Sequence, residues 1–261
     1  MSLPGLVDVI IRTKNSEEKM KDCLDAIEKF VPVHNLIIVD GGSTDNTLDI
    51  IKRHALFGLT KLYIEPSLSL GESFFYGVEK SNTMFVASID SDVVVREWWF
   101  KELYNKFDSL TGVVEGGTIE HFEMNCPFNG EKNRGYLINA VLRRDAVLSI
   151  KPEVLHVRED SYLFKKMNEL GLAWLKTGVL LADHYSNPVR YRDGKSYISV
   201  RRYKTPKKVI IQAGNADRLI GDWKRIPKNL VNCFVAPVLL MSDLLREYIW
   251  YVYGFVRNKR R

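Results

Sequence analysis

The sequence predicts an α/β domain on a mostly parallel central sheet with flanking helices, followed by a basic, amphipathic helical tail. Three observations carry this expectation. Through residue 110, short β-branched apolar runs alternate with segments whose apolar residues recur at helical spacing, the pattern of a parallel sheet with right-handed crossovers. A length of 261 residues suffices for one large domain, or a domain plus an appendage. Charge also changes sign along the chain: residues 1–184 hold 21 Lys+Arg against 27 Asp+Glu, and residues 185–261 hold 17 against 5. We therefore expect a catalytic or binding domain over 1–190 and a basic extension over 191–261.

The elements follow in order. Val7 to Thr13, "VDVIIRT", reads as a buried strand. The helix after it has Ser16 as N-cap, acids in its first turn, and Met20, Leu24, Ile27 and Phe30 on one face. Leu36 to Asp40 is a second strand, and "TDNTLDIIKRH" a second helix with its cap among Ser43 to Asp45. "KLYIE", "GESFFYGVEK", "MFVASID" and "EWWFKELYNKF" continue the alternation. Beyond them the pattern is more mixed. "VVEGGTIEHF" reads as a longer strand, and "GYLINAVLRRDAVLSI" as a strand and a short helix. In "REDSYLFKKMNELG", Leu163, Met167 and Leu170 mark a helix that Gly171 stops. "LAWLKTGVLLADHY" returns to strand.

Composition excludes several classes. Hydrophobic content of 46% and charged content of 27% are those of an ordinary globular chain. No charge-free apolar run reaches 18 residues, and no basic segment precedes the first apolar one, so neither a membrane span nor a signal peptide is expected. Cys23, Cys126 and Cys233 are far apart, which argues against a disulfide framework or cysteine zinc site and fits a reducing cytoplasm. Neither G-x-G-x-x-G nor G-x-x-x-x-G-K-[ST] occurs.

The strands' polar ends carry the chemistry. In α/β sheets ligands bind beyond the carboxyl ends of the strands, where Thr13 to Asn15, Asp40, and Asp90 with Asp92 would share one rim. In "IVDGGSTDNT", Asp40 can accept from a base or ribose, and its glycines admit close approach. Asp90-Ser91-Asp92 places two repelling carboxylates one residue apart, a pattern that a hard divalent cation would satisfy. Glu159 and Asp160 open a helix, where its dipole favours acids; Asp160 is a candidate general base. His184 gains interest only beside Asp92. Taken singly, each of these is better read as a turn, a cap or a plain hydrogen-bonded residue.

Together, "VDVIIRTKN", "IVDGGSTDNT", "IDSD", "NAVLRRDAV" and "REDSYLFKKMNELG" resemble, in order and spacing, the family-2 glycosyltransferases of the GT-A fold. The resemblance covers roughly Val7 to Tyr185. It implies a Rossmann-like sheet and an inverting hexosyl transfer from a UDP- or GDP-linked sugar to a glycan or lipid-linked acceptor. By the same resemblance, Thr13, Asn15, Asp40, Asp90 and Ser91 would meet the nucleotide. Asp92 and His184 would hold Mn²⁺ or Mg²⁺, and Asp160 would deprotonate the acceptor hydroxyl. The departures are specific. Arg12 and Lys14 replace the usual proline and tyrosine. Glu72, in "LGESFFYGVEK", stands in place of a phosphate-facing cation, leaving Arg12, Lys14 and Glu159 as expected phosphate or acceptor contacts. The Q-x-x-R-W signature of processive synthases is absent, so a single addition is expected.

The tail combines "RRYKTPKK" (201–208), a charge-free stretch from Asn229 to Ser242, and a terminal Arg-Asn-Lys-Arg-Arg. Leu244, Tyr248, Tyr251 and Phe255 can share a helix face. Aromatics beside cations suit peripheral contact with the cytoplasmic face of a membrane. They equally suit packing on the domain itself, or on a second copy in a homo-oligomer. Nucleic acid is not expected, since no recognised binding module is present. Competing readings are a non-catalytic nucleotide-sugar or glycan-binding module and a nucleotidyltransferase. "RTKNSEEKM" lacks the glycine-rich basic loop that the second requires.

Overall fold

A computed structural model describes residues 5–120, 135–152 and 159–185. Its frame is an eight-stranded sheet ordered β3-β2-β1-β4-β7-β6-β8-β5. The strands are β1 (Val7–Thr13), β2 (Val33–Asp40), β3 (Thr60–Ile64), β4 (Phe85–Ile89), β5 (Val93–Val95), β6 (Thr111–Glu120), β7 (Asn139–Arg143) and β8 (Ala173–His184). Between them run α1 (Glu17–Phe30), α2 (Thr47–Arg53), α3 (Leu70–Lys80), α4 (Trp99–Tyr104), α5 (Arg144–Leu148) and α6 (Glu159–Glu169).

The first four strands pair in parallel, as the alternation predicts. All seven residues of β1 are buried, because β2 and β4 flank it and helices cover both faces. The second half is mixed: β7 runs antiparallel to β4 and β6, and β8 runs parallel to β6 but antiparallel to β5. Met20, Cys23, Leu24 and Ile27 of α1 pack with Val9, Ile11 and Ile38 in the main core, and Trp99 and Leu103 of α4 extend it.

Several local expectations need correction. Ser16 is the N-terminal flank of α1, but its hydroxyl makes no cap; its carbonyl accepts from Lys19 and Met20, while its Oγ turns to Ser91. Asn46, rather than Ser43 to Asp45, precedes α2, and Asp45 instead accepts from the Thr47 N–H and hydroxyl. Leu170 is exposed beyond the end of α6. Gly171 does stop that helix in the left-handed region, at φ +73°. Glu72 completes a capping box with Ser69, each side chain accepting the other's backbone N–H. That occupation explains an acid where the family pattern led us to look for a cation.

Asp8 is the buried charge that needs most help. Its carboxylate accepts from His34 Nδ1, the Asn35 N–H and side-chain amide, and the Asn82 and Thr83 N–H groups. Burial opposes ionisation, yet these donors hold the carboxyl below its ordinary 3.8. A depressed folded pKa gives stability that is present above the unfolded value and lost as pH falls through the folded one. Asp8→Ala is expected to cost about 3 kcal/mol at neutral pH. Urea unfolding should show the gap from wild type narrowing below pH 4; a gap that does not vary with pH would contradict this role for Asp8.

Among the described residues, no helix is long and apolar enough to cross a membrane. The basic tail, its boundary at 190, Cys126 and Cys233 lie outside the described residues.

Candidate active site

The strand ends meet on one rim. Thr13 and Asp40 are register partners at the carboxyl ends of β1 and β2. Asp90 follows β4 directly, with its N–H donating to Ile138. The three-valine strand β5 then turns Asp92 toward β8, because Val93 pairs with His184. His184 Nε2 lies 3.4 Å from Asp92 Oδ1, and both side chains are largely buried. The Tyr185 N–H donates to the Asp92 carbonyl, fixing the strand end there. Pairing of β5 with β8 thus meets the condition that sequence reasoning set for His184.

The loops after β1 and β2 are laced together. Asn15, in the left-handed region at φ 51°, donates its N–H to Ser43 Oγ and accepts from the Thr44 N–H. Asp40 is fully buried, and its carboxylate accepts from the N–H groups of Gly42 and Ser43 and from the Ser43 hydroxyl. It shapes the turn, and Gly42 takes the left-handed conformation at φ +81° that the turn requires. Ser91 is buried, with its Oγ 2.8 Å from Ser16 Oγ; Ser16 in turn donates its N–H to Thr47. The hydroxyl of Ser91 therefore anchors the Asp90–Asp92 loop to the start of α1. Among the described residues, Lys14 is exposed at the rim, whereas Thr13 Oγ1 is buried without a protein partner.

The second cation of this segment behaves differently. Arg12 is buried and pairs with Asp90 Oδ1 at 2.9 Å and Glu159 Oε1 at 2.7 Å. Its expected contact with phosphate gives way to two carboxylates of the protein. Glu159 is likewise turned to Arg12, away from a free acceptor-facing role. Asp160, the next residue, is largely buried; its Oδ1 accepts from its neighbour Ser161 through the N–H at 2.6 Å. Burial pushes the Asp90 carboxyl above the usual range; Arg12 works against this and Asp92 adds to it. Burial likewise raises Glu159, with Arg12 opposing and Asp160 contributing. Among the described residues, Arg12 pairs with two of the four carboxylates gathered here, Asp90 and Glu159, and Asp92 stands beside His184.

A divalent cation fits the spacing of Asp92 and His184. Two ligands about 2.1 Å from one ion stand roughly 3 to 3.5 Å apart at ordinary ligand angles, a range that includes the Asp92–His184 separation. Two protein ligands also match a Mg²⁺-like ion that is completed by water and phosphate oxygens. A second cluster, Asp25, Glu28 and His54, groups three potential ligands on the surface. There His54 Nδ1 accepts from the Leu56 N–H, so Nε2 carries the proton and donates to Asp25. Both ring nitrogens are engaged, and the cluster clamps α1 to the end of α2.

Glu115 of β6 escaped sequence reasoning. It is buried and accepts from Trp174 Nε1 and the Tyr136 N–H, with Lys176 Nζ at 3.7 Å. Burial pushes its carboxyl up, Lys176 opposes this, and the charge of Asp160 adds to it. It therefore lies within electrostatic reach of the candidate base. The available signal was an acid at the end of the valine run in "VVEGG", inside a strand otherwise buried at that point.

Comparison with known proteins agrees with the fold. The family described as Glycosyl transferase family 2 matches residues 8–167. A Pyrobaculum calidifontis mannosyltransferase, solved with GDP-Man and Mn²⁺, superposes with a TM-score of 0.66 at 12% identity, covering 97% of this chain and 88% of that one. S. aureus TarS 1–349, solved with UDP-GlcNAc, gives 0.59 at 18% identity over 80% and 67% of the two chains. Glucosyl-3-phosphoglycerate synthase from Mycobacterium tuberculosis, solved with Mn²⁺, UDP and glucosyl-3-phosphoglycerate, gives 0.54 at 16% over 75% and 77%. At these identities the likeness is one of fold.

Proposed function

The chain belongs to glycosyl transferase family 2, and from that premise we propose that it moves a hexose from a UDP- or GDP-linked sugar to an acceptor hydroxyl, with inversion. The observation that carries the proposal is the meeting of Asp92 and His184 on the rim that also bears Thr13, Asn15 and Asp90. Asp92 and His184 would hold Mn²⁺ or Mg²⁺. When bound, that ion supplies charge stabilisation for the leaving diphosphate.

The remaining roles belong to the chain's own residues. The 40–46 turn, shaped by Asp40 and tied to Asn15, would receive the nucleoside, and the buried Thr13 hydroxyl is an orphan that a small shift could pair with it. Lys14, exposed at the rim, is among the described residues a better candidate for a phosphate than Arg12, which is held by two carboxylates. Asp160 would accept the proton of the acceptor hydroxyl as that oxygen attacks the anomeric carbon. One base without a second catalytic carboxylate fits single displacement. Glu115, outside hydrogen-bond contact with Asp160, would set the field around it.

A thermal-shift screen of nucleotide sugars with Mn²⁺ tests this reading. One donor should raise the melting temperature, and chelation should remove the shift; a protein indifferent to every donor would contradict the proposal. A non-catalytic binding module would give the shift without ever consuming the donor.

The acceptor is a glycan or a lipid-linked sugar, and the basic tail supports the second. Peripheral attachment at a cytoplasmic membrane face would bring a lipid-linked acceptor to the rim. Deleting residues 229–261 is expected to move the protein from the membrane fraction to the soluble one on flotation with anionic vesicles. An unchanged distribution would remove the membrane from the account and leave packing or self-association as the tail's role.

A further inference from the structure

Arg12 joins two parts of the rim that are remote in sequence. Its partners Asp90 and Glu159 lie 78 and 147 residues away. One follows β4 and leads to the candidate metal ligand Asp92; the other opens α6 and precedes the candidate base Asp160. The Arg12 side chain is 6% exposed, and its Cζ stands 5.8 Å from the centre of the fully buried Phe74 ring. A planar fork in that position presents NH2 to one carboxylate and NH1 to the other at a fixed angle. A lysine ammonium could satisfy only one at a time.

We propose that Arg12 is a positioning residue that couples the donor side of the rim to the base-bearing helix. Its consequence for nucleotide binding rests on the glycosyltransferase reading; its structural role does not. Two buried carboxylates share a single cation, so a change in either alters the hold on the other. Removing the Glu159 charge gives Arg12 wholly to Asp90, drawing that carboxylate away from an incoming nucleotide. Substitution of Asp90 tightens the grip on Glu159 and hence on the first turn of α6. The next-to-last position of β1, where the family pattern has proline, thus carries a strut that holds the donor and acceptor sides at one spacing.

Two cycles with the full chain test this. The first reads thermal unfolding of Asp90→Asn, Glu159→Gln and the double variant. With Arg12 present, the double variant should fall several degrees below the additive expectation, because it leaves a buried guanidinium without a charged partner. In an Arg12→Met background the two effects should add. Arg12→Gln, which removes the charge but keeps polar contacts, is the alternative background if Arg12→Met does not fold, and should likewise show additive effects. Additive effects with Arg12 present, or equal coupling without it, would overturn the proposal.

The second cycle reads fluorescence titration with Mn²⁺ plus UDP and with Mn²⁺ plus GDP. Glu159→Gln should weaken the preferred nucleotide about 3- to 10-fold with Arg12 present, and by less than about twofold in the Arg12-substituted background. An effect of the same size in both backgrounds would show that Arg12 does not transmit it. Wild-type protein that binds neither nucleotide would contradict the glycosyltransferase reading, and the stability cycle would still decide the strut.

Discussion

Asp92→Ala is expected to lower metal-dependent sugar transfer about 10³-fold or more while leaving the fold intact. Asp92 keeps partial exposure, follows the strand β4 and has its carbonyl, not its side chain, in the pairing with Tyr185. Removing the carboxylate therefore spares the β5–β8 ladder. What it removes is one of the two candidate ligands for the cation. His184 alone would hold the ion weakly, so the Mn²⁺ concentration needed for half-maximal rate should rise steeply. Steady-state rates against Mn²⁺, with unfolding midpoints as a control, check both parts. A variant that keeps its rate at the same Mn²⁺ concentration would remove Asp92 from the site.

Asp160→Asn should separate binding from chemistry. The amide keeps the size and the oxygen that accepts from the Ser161 N–H, so the start of α6 should survive. It cannot take a proton. Transfer should fall about 10³-fold, within the range for loss of a general base, while donor affinity in calorimetry changes by less than about threefold. Equal losses in donor affinity and rate would instead make Asp160 part of the donor site. Glu115 offers a companion test. Glu115→Gln keeps acceptors for Trp174 and Tyr136 but deletes a charge that acts on Asp160. A changed transfer rate with donor affinity unchanged would identify that influence, and an unchanged rate would exclude it.

The parallel half of the sheet was legible because each of its strands is a local apolar run bounded by turn residues. Val7 to Thr13 needed no partner to be recognised as buried, and its last residues marked the rim. Local patterns also marked Asp92, Asp160 and His184 as candidates, but not their arrangement. The proximity of His184 to Asp92 depends on a three-residue strand, Val93–Val95, too short to show a periodicity of its own. Arg12 looked available to a phosphate because neither of its carboxylates is near it in sequence. Asp40 was marked as a nucleotide ligand, and the sequence alone did not show that its carboxylate also accepts three hydrogen bonds from its own turn. Ser91 is a further case: a polar residue between two acids, turned inward to the Ser16 hydroxyl just before α1. Glu115 was missed because a buried acid in a strand is explained only by Trp174, Tyr136 and Lys176, which the fold brings from elsewhere.

The most direct test of the central claim is consumption of a nucleotide sugar by the purified full chain, read as release of nucleoside diphosphate across a panel of UDP- and GDP-linked donors. The prediction is turnover of one donor class with Mn²⁺ or Mg²⁺, loss of that turnover on chelation, and its restoration when metal returns. Donor that binds and shifts the melting temperature, but is never cleaved in the presence of metal and a matched acceptor extract, would contradict catalysis and leave a binding module.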